Sequence, residues 1–415
     1  MKNIRIGMLQ VSGTDNTPEQ YGDWKDMRDT FESAGLYYGD SLRGRIEAVI
    51  DVLPWQDWDG FSADVKLAKR FMGPTKLLTN SAKLNKGRSD GDDYRTIGLY
   101  LPPASSGRDM LRSIGLEVSD WYTLCANATE GCTRACLGTG SGHMNQGVER
   151  VASGQYDWDL SNVQRAQAKR LALFEAHRRA FYALFIHEVA AAERADRKAG
   201  RQLAVRPNCT SDIAWERKTG FPQIFGLFPD VIWYDYTKHH KRLLAPAFLP
   251  RNYTLTYSRA DGSVNHDRAE QVLAAGGNVA VVFDTPRKGE RGRNGTLKAD
   301  AALPALFGGV PVIDADLDDA RFLDPQGVIV GLRAKGLAKA DLTGFVVHTC
   351  IAGIKDKAHA DARVGCPGLS VITADQTIDA FIHGDQSLRQ TIPSILRDAF
   401  KSTTSEIVMT VLSDS

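Results

Sequence analysis

Residues 202–216 read QLAVRPNCTSDIAWE. A short apolar run, Gln202–Arg206, gives way at Pro207 to a loop crowded with hydrogen-bonding side chains. The same figure recurs along the chain. Further runs are Thr96–Leu101 (TIGLYL), Val231–Tyr234 (VIWY), Tyr253–Tyr257 (YTLTY), Asn278–Phe283 (NVAVVF), and Val310–Ile313 (VPVI) with Val328–Leu332 (VIVGL). Nearly continuous runs rich in Val and Ile suit strands covered on both faces, as in a parallel sheet.

Helical signals separate the runs. The longest spans Ser161, a good N-cap, to Ala199, with Gly200 as its stop. Its Leu171, Phe174, Phe181, Leu184, Phe185 and Val189 recur at three, four and seven, an apolar stripe. Its arginines 165, 170, 178 and 179 read as a solvated face. A second helix is expected over Asp267–Ala275. Strands alternating with helices predict an α/β fold. An open sheet accommodates such units; the polar, Gly- or Pro-bearing loops favour a (β/α) barrel, complete or partial, of about six βα units.

The barrel is assigned to residues 94–347. Residues 1–93 form an N-terminal α+β accessory region, with a strand candidate at Ile4–Val11, a helical stretch at Ser62–Phe71 and a linker-like segment at Asn85–Asp93 (NKGRSDGDD). Residues 348–415 form a C-terminal extension packing on the barrel, with a helix expected at Leu388–Phe400.

Composition narrows the class. The chain has 415 residues, 43% hydrophobic and 24% charged, which excludes disorder, collagen and a disulfide scaffold. A net charge of +1 excludes a general polybasic coat, so any nucleic-acid binding must be local. No run of ~18 uncharged apolar residues exists, so no membrane span is expected. The N-terminal apolar run is too short for a secretory signal.

Three of the six cysteines cluster as Cys125-ANATEG-Cys132-TRA-Cys136. Cys132 and Cys136 are four apart, so one helical turn would bring their sulfurs to one side. Three thiolates make a soft-metal site. Structural zinc wants a fourth ligand, from His143, Cys209 or further away. An iron–sulfur cluster held by only three cysteines leaves one iron open to a small molecule, which suits S-adenosylmethionine and radical chemistry. Three cysteines also simply fill small cores. All three readings remain open on spacing alone.

The remaining candidates follow the strands. Asn208, Thr210 and Ser211 suit a cofactor's ribose or carboxylate, although Ser211 or Asp212 is also a natural cap for a following helix. Asp212, Asp235 and Lys238 are candidate catalytic residues for proton transfer or substrate binding, with a buried ion pair as the competing role for Asp235 and Lys238. His239 and His240 are adjacent, so their side chains diverge and a shared metal is not expected. Asp284 closes the fifth run as a further cofactor candidate. The segment 285–298 (TPRKGERGRNGTLK) carries Arg287, Lys288, Arg291, Arg293 and Lys298 against Glu290, a phosphate clamp or a solvated loop. Arg206, Arg287, Lys288, Asp314 and Asp316 are the substrate or phosphate candidates. The acids from Asp314 do not make an EF-hand, because Asp319 and Pro325 stand where Gly and Glu are needed.

Taken in order, TIGLYLPPASSG, CANATEGCTRACLGTGSG, RPNCTSDIAWE, FPDVIWYDYTK, NYTLTYS, GGNVAVVFD and VIDADLDDARFLDPQGVIVGLRAKG resemble the phage gene product 88 family over about residues 94–347. The resemblance implies a bacteriophage origin, a host-cytoplasmic setting and a barrel with a cysteine cluster; it supplies no reaction. The cysteines' position, after the first strand and before the first long helix, also resembles the architecture of radical S-adenosylmethionine enzymes. Their usual spacing is C-x3-C-x-x-C, which differs from this one. That resemblance implies a [4Fe–4S] cluster on Cys125, Cys132 and Cys136 with S-adenosylmethionine bound, and the phage setting implies a nucleotide or nucleic-acid substrate. The alternatives are a zinc-containing barrel modifying DNA by glycosyl or base-exchange chemistry, and a non-enzymatic protein binding DNA or a host factor through residues 286–298.

Overall fold

The computed structural model describes residues 41–86, 93–104, 106–113, 116–140, 161–218, 220–286 and 302–348. The apolar runs from Thr96 to Leu332 all pair into one sheet. Its strands are β1 (Leu78–Thr79), β2 (Tyr94–Leu99), β3 (Gln202–Arg206), β4 (Ile232–Thr237), β5 (Tyr253–Ser258), β6 (Asn278–Phe283), β7 (Leu306–Phe307), β8 (Val310–Asp314), β9 (Ile329–Arg333) and β10 (Val346–Val347). The spatial order is β1-β2-β3-β4-β5-β6-β9-β8-β7. From β2 to β6 each strand lies parallel to its successor in sequence. β9 enters between β6 and β8, parallel to both.

The expected barrel does not close. Among the described residues no ladder joins the two edges, and each edge ends in a two-residue antiparallel strand. The architecture shown is α/β on a mostly parallel, open sheet. β5 pairs with β6 only as far as Ala280; beyond it β10 takes over, pairing with Val282 and Phe283.

The helices are α1 (Leu42–Ala48), α2 (Trp58–Met72), α3 (Ser106–Ser113), α4 (Glu130–Arg134), α5 (Leu137–Gly140), α6 (Asn162–Ala176), α7 (Arg178–Lys198), α8 (Pro222–Leu227), α9 (Lys241–Leu244) and α10 (Ser263–Ala274). Ser161 caps α6 in a reciprocal capping box with Gln164. The single long helix expected to Ala199 is instead two. His177 leaves helical dihedrals, at φ −139° and ψ 58°, and Phe174 and Phe181 meet edge to face across the break at 5.0 Å. Arg170 is not solvated as expected. It is buried, and its Nε donates to the Lys76 carbonyl at 2.9 Å. It thereby satisfies backbone that would otherwise be stranded next to β1.

One face of the sheet packs on helices. Phe61, Val65, Ala68 and Met72 of α2 join Phe181 and Phe185 of α7, Trp215, Phe225 and Trp233 in a single core. Each large side chain buried there contributes roughly 1.5–3 kcal/mol. The 41–86 segment, placed by sequence in an accessory region, therefore shares the core of the sheet. Asn85, read as the start of a linker, is pinned to β2: its Oδ1 accepts from the Thr96 N–H at 3.0 Å.

Period-two alternation divides β4. Trp233 faces the helices, against Phe185 and Phe225. Tyr234 faces the opposite, inner side, where it meets Phe322. The β8–β9 connection occupies that inner side: Ala315 and Val328 pack with Ala280 and Val330, and Phe322 lies against Tyr94 and Tyr234. Lys86 donates to the Asp316 carbonyl, joining the loop before β2 to the loop after β8. Among the described residues no helix is long and apolar enough to cross a membrane. Residues 1–40, His143, Arg287, Lys288, Arg291, Arg293, Lys298, Cys350, Cys366 and the Leu388–Phe400 helix lie outside the described residues.

Candidate functional site

The loops leaving β2, β3, β4 and β5 meet at the C-terminal ends of these strands, where parallel α/β sheets carry their ligands. After β2 the chain turns at Ala104, whose φ is +43°, and its N–H donates to Cys125 Sγ at 3.3 Å. Thr129 caps α4 by accepting from the Cys132 N–H at 3.3 Å, and its hydroxyl also donates to Asp261 beyond β5. Gly131 fits because it has no side chain: a Cβ there would strike Thr343, Asp261 and Phe345. Gly138 sits the same way against Pro103 and Thr210. The cysteine segment is thus pressed across the strand ends from β2 to β10. Cys136 falls just beyond the last turn of α4 rather than within it.

The three thiols share one neighbourhood. Burial pushes Cys125 up to about 12; the Ala104 N–H opposes this, while Asp212, Cys136 and Cys132 add to it. Burial raises Cys132 as well, and Lys238 opposes the rise. A metal ion bound to these sulfurs would favour the thiolate forms instead. Lys238 is itself buried, with Nζ donating to Ser258 Oγ at 2.7 Å and lying 5.2 Å from the Phe345 ring centre. Among the described residues no group of three or more His, Cys, Asp or Glu side chains is already arranged to hold a metal ion.

The sequence candidates separate sharply. Asp212 reaches the mouth but works as a clamp: Oδ1 accepts from Thr237 Oγ1 at 2.7 Å, Oδ2 from the Lys238 N–H at 2.8 Å, and its own N–H donates to the Leu124 carbonyl. It caps no helix; the 3-10 turn Trp215–Arg217 has no side-chain cap. Thr210 is also at the mouth, donating to the Leu101 carbonyl.

Asn208, Ser211 and Asp235 turn the other way. Asp235 is fully buried on the helix side and accepts from the Asn208 N–H at 2.9 Å, Asn208 Nδ2 at 2.8 Å and Tyr253 OH at 2.8 Å. Burial lifts it to about 7, against the pull of Arg206 and these hydrogen bonds. Asn208 Oδ1 accepts from Ser211 Oγ, the Ile213 N–H and Trp215 Nε1. These residues hold the β3 loop in shape, with their side chains turned from the mouth toward Ile213, Trp215 and Tyr253. Asp235 and Lys238 are not bonded to each other: Asp235 lies on the helix side of β4, and Lys238, just past the strand's end, is bonded to Ser258.

Arg206 lies between two acids, with Nη1 2.9 Å from Asp319 Oδ2 and Nε 3.8 Å from Asp235 Oδ1. Asp284 receives His348 Nδ1 at 3.0 Å, at the β6–β10 end. Asp314 accepts from Arg333 Nη1 at 2.8 Å on both oxygens, and Asp316 is 2.5 Å from Lys335 Nζ, so both acids are matched by the basic end of β9. Sequence reasoning missed Asp261, Thr343 and Phe345. Their distance in sequence hid them, and the only local signal was Gly131, where all three approach.

The model of the family described as gene product 88 matches residues 74–349. No curated protein and no solved structure matches the chain.

Proposed function

We propose, from the premise that the chain belongs to the gene product 88 family, that it is a phage-encoded metalloenzyme built on a partial (β/α) barrel. Cys125, Cys132 and Cys136 hold an iron–sulfur cluster, S-adenosylmethionine is the small-molecule cofactor, and the substrate is a nucleotide or nucleic acid. One observation carries the reading: three thiols within electrostatic reach of one another lie over the C-terminal ends of parallel strands laid down in sequence order.

The donor set suits a soft ion, and the raised thiols are what such an ion would deprotonate on binding. The side chains do not yet form a closed set, so loading draws them together. A bound cluster would supply one electron and an open coordination position to the cofactor. The surrounding residues do the rest. Lys238 sets a positive charge against the thiolates, Ser258 orients it, and Asp212 fixes the loop that carries Thr210 to the mouth.

Anaerobically purified protein is expected to be brown and to contain iron and acid-labile sulfide. Cys132→Ser should lose both while keeping the wild-type circular dichroism spectrum. Zinc in place of iron would transfer the thiols to the alternative, glycosyl or base-exchange chemistry. Protein that stays colourless and metal-free after reconstitution overturns the reading.

A further inference from the structure

The turn that covers the cysteine segment is tied down at its far end by one imidazole. His348, the residue after β10, lies between two oxygen acceptors. Its Nδ1 is 3.0 Å from Asp284 Oδ2 at the end of β6, and its Nε2 is 3.2 Å from the Asp341 carbonyl. The Asp341 carboxylate is turned into its own loop: Oδ1 accepts from Thr343 Oγ1 at 2.7 Å, and Oδ2 from the Val346 N–H at 2.9 Å. The Asp284 N–H completes the tie by donating to the Val347 carbonyl at 3.1 Å. Residues 341–348 are thus one hydrogen-bonded loop anchored on β6. That loop carries Thr343 and Phe345, which meet Gly131 of the cysteine segment.

A neutral imidazole offers one N–H and one lone pair. Between two acceptors it satisfies one and turns its lone pair on the other. The imidazolium donates to both. Two acids face the ring, Asp284 from β6 and Asp341 from the turn before β10. The bases that end β9 are engaged elsewhere, Arg333 with Asp314 and Lys335 with Asp316, and Lys238, beyond Phe345, is bonded to Ser258. The Asp284 hydrogen bond lifts His348 above the ordinary histidine range, burial opposes the lift, and the charges of Asp284 and Asp341 add to it. The side chains of His348 and Asp284 are 26% and 29% exposed, so water can deliver and remove the proton.

We propose that His348 is a proton-operated fastening. With both ring nitrogens protonated it holds the 341–347 turn down on the cysteine segment; on deprotonation the turn loosens and the segment opens to solvent. This device goes beyond the chemistry proposed above and needs no ion on the thiols. Because the folded chain holds this proton more tightly than the unfolded chain, the fastening is complete below about pH 6.5 and is lost as pH rises through the lifted value.

Two measurements on the full chain test it. In the first, histidine side-chain NMR signals are titrated, and the His348 signal is identified by its loss in His348→Gln. Its midpoint should lie above about 6.5 in wild type and fall in Asp284→Asn. A wild-type midpoint at or below that value overturns the proposal, whether or not the variants fold. In the second, hydrogen exchange is followed by mass spectrometry and corrected for the intrinsic pH dependence. Peptides covering 341–347 and 125–136 should exchange about threefold faster or more at about pH 8.5 than at about pH 6 in wild type. In His348→Gln the two pH values should give equal exchange. Equal exchange in wild type, or the same acceleration in peptides from α2 and α7, overturns the proposal, because the loosening would then be absent or global.

Discussion

The two faces of β4 make opposite use of polar side chains. On the helix side, Asp235 has donors on both oxygens, and Glu216 receives Arg242 Nε at 2.8 Å and Nη2 at 2.7 Å with both partners buried. At the mouth, burial raises the Cys125 and Cys132 thiols, and the buried Lys238 ammonium opposes the rise at Cys132. Groups whose hydrogen-bonding capacity is spent inside the protein make scaffold. Groups held in a costly state, next to solvent, are where a ligand gains most by arriving.

The largest test of this contrast is Glu216→Ala. It removes the hydrogen-bonded partner of the buried Arg242 charge, leaving only Asp212 at 3.8 Å, and should cost about 3–5 kcal/mol in urea unfolding. A cost near that of a surface substitution would mean that the helix-side network is not scaffold. Gly131→Ala comes next. Its new methyl meets Thr343, Asp261 and Phe345, an overpacking worth about 1–3 kcal/mol. The same shift should lower metal uptake, as read by iron content per chain, because it lifts the cysteine segment from the strand ends.

Asp235 sharpens the contrast through pH. Its carboxyl is lifted to about 7 in the fold, so between roughly pH 4 and 7 the folded chain holds a proton that the unfolded chain has released. Its contribution is present in full at the acid end of that window and is lost as pH rises through it. Urea midpoints measured across the window should carry a falling component that disappears in Asp235→Asn. An unchanged slope in the variant would mean that the native carboxylate is already charged. The smallest effect belongs to the neighbour of Gly131. Glu130 pairs with Arg134 at the surface, with side chains 66% and 71% exposed, and Glu130→Ala should change stability by no more than about 0.5 kcal/mol.

Much of the sheet was legible because strands buried on both faces need continuous apolar runs, and these survive in TIGLYL, VIWY and NVAVVF. The cap at Ser161 was legible because its chemistry is local. The break at His177 was not, since Phe174 and Phe181 keep the stripe in step across it. Nor was the place of β9, because VIVGL suits any central position and only pairing decides which. The site was legible as a cysteine cluster followed by polar strand-end loops. Which members of those loops reach it was not: Asn208, Ser211 and Asp235 differ from Thr210, Asp212 and Lys238 only in the direction they point. Phe345, brought in by the loop before β10, leaves no mark near the cysteines.

The wedge that β10 drives between β5 and β6 fixes a timetable. Phe345, which sits beside the Lys238 ammonium and against Gly131, is among the last residues of the family-matched segment to leave the ribosome. A nascent chain that has made five parallel strands already holds its cysteines against Ala104, Asp212 and Asp261, yet lacks Thr343 and Phe345 over Gly131. The cysteine segment is therefore clamped in full only when this late hydrophobic latch arrives, and a nick between β9 and β10 would loosen it again.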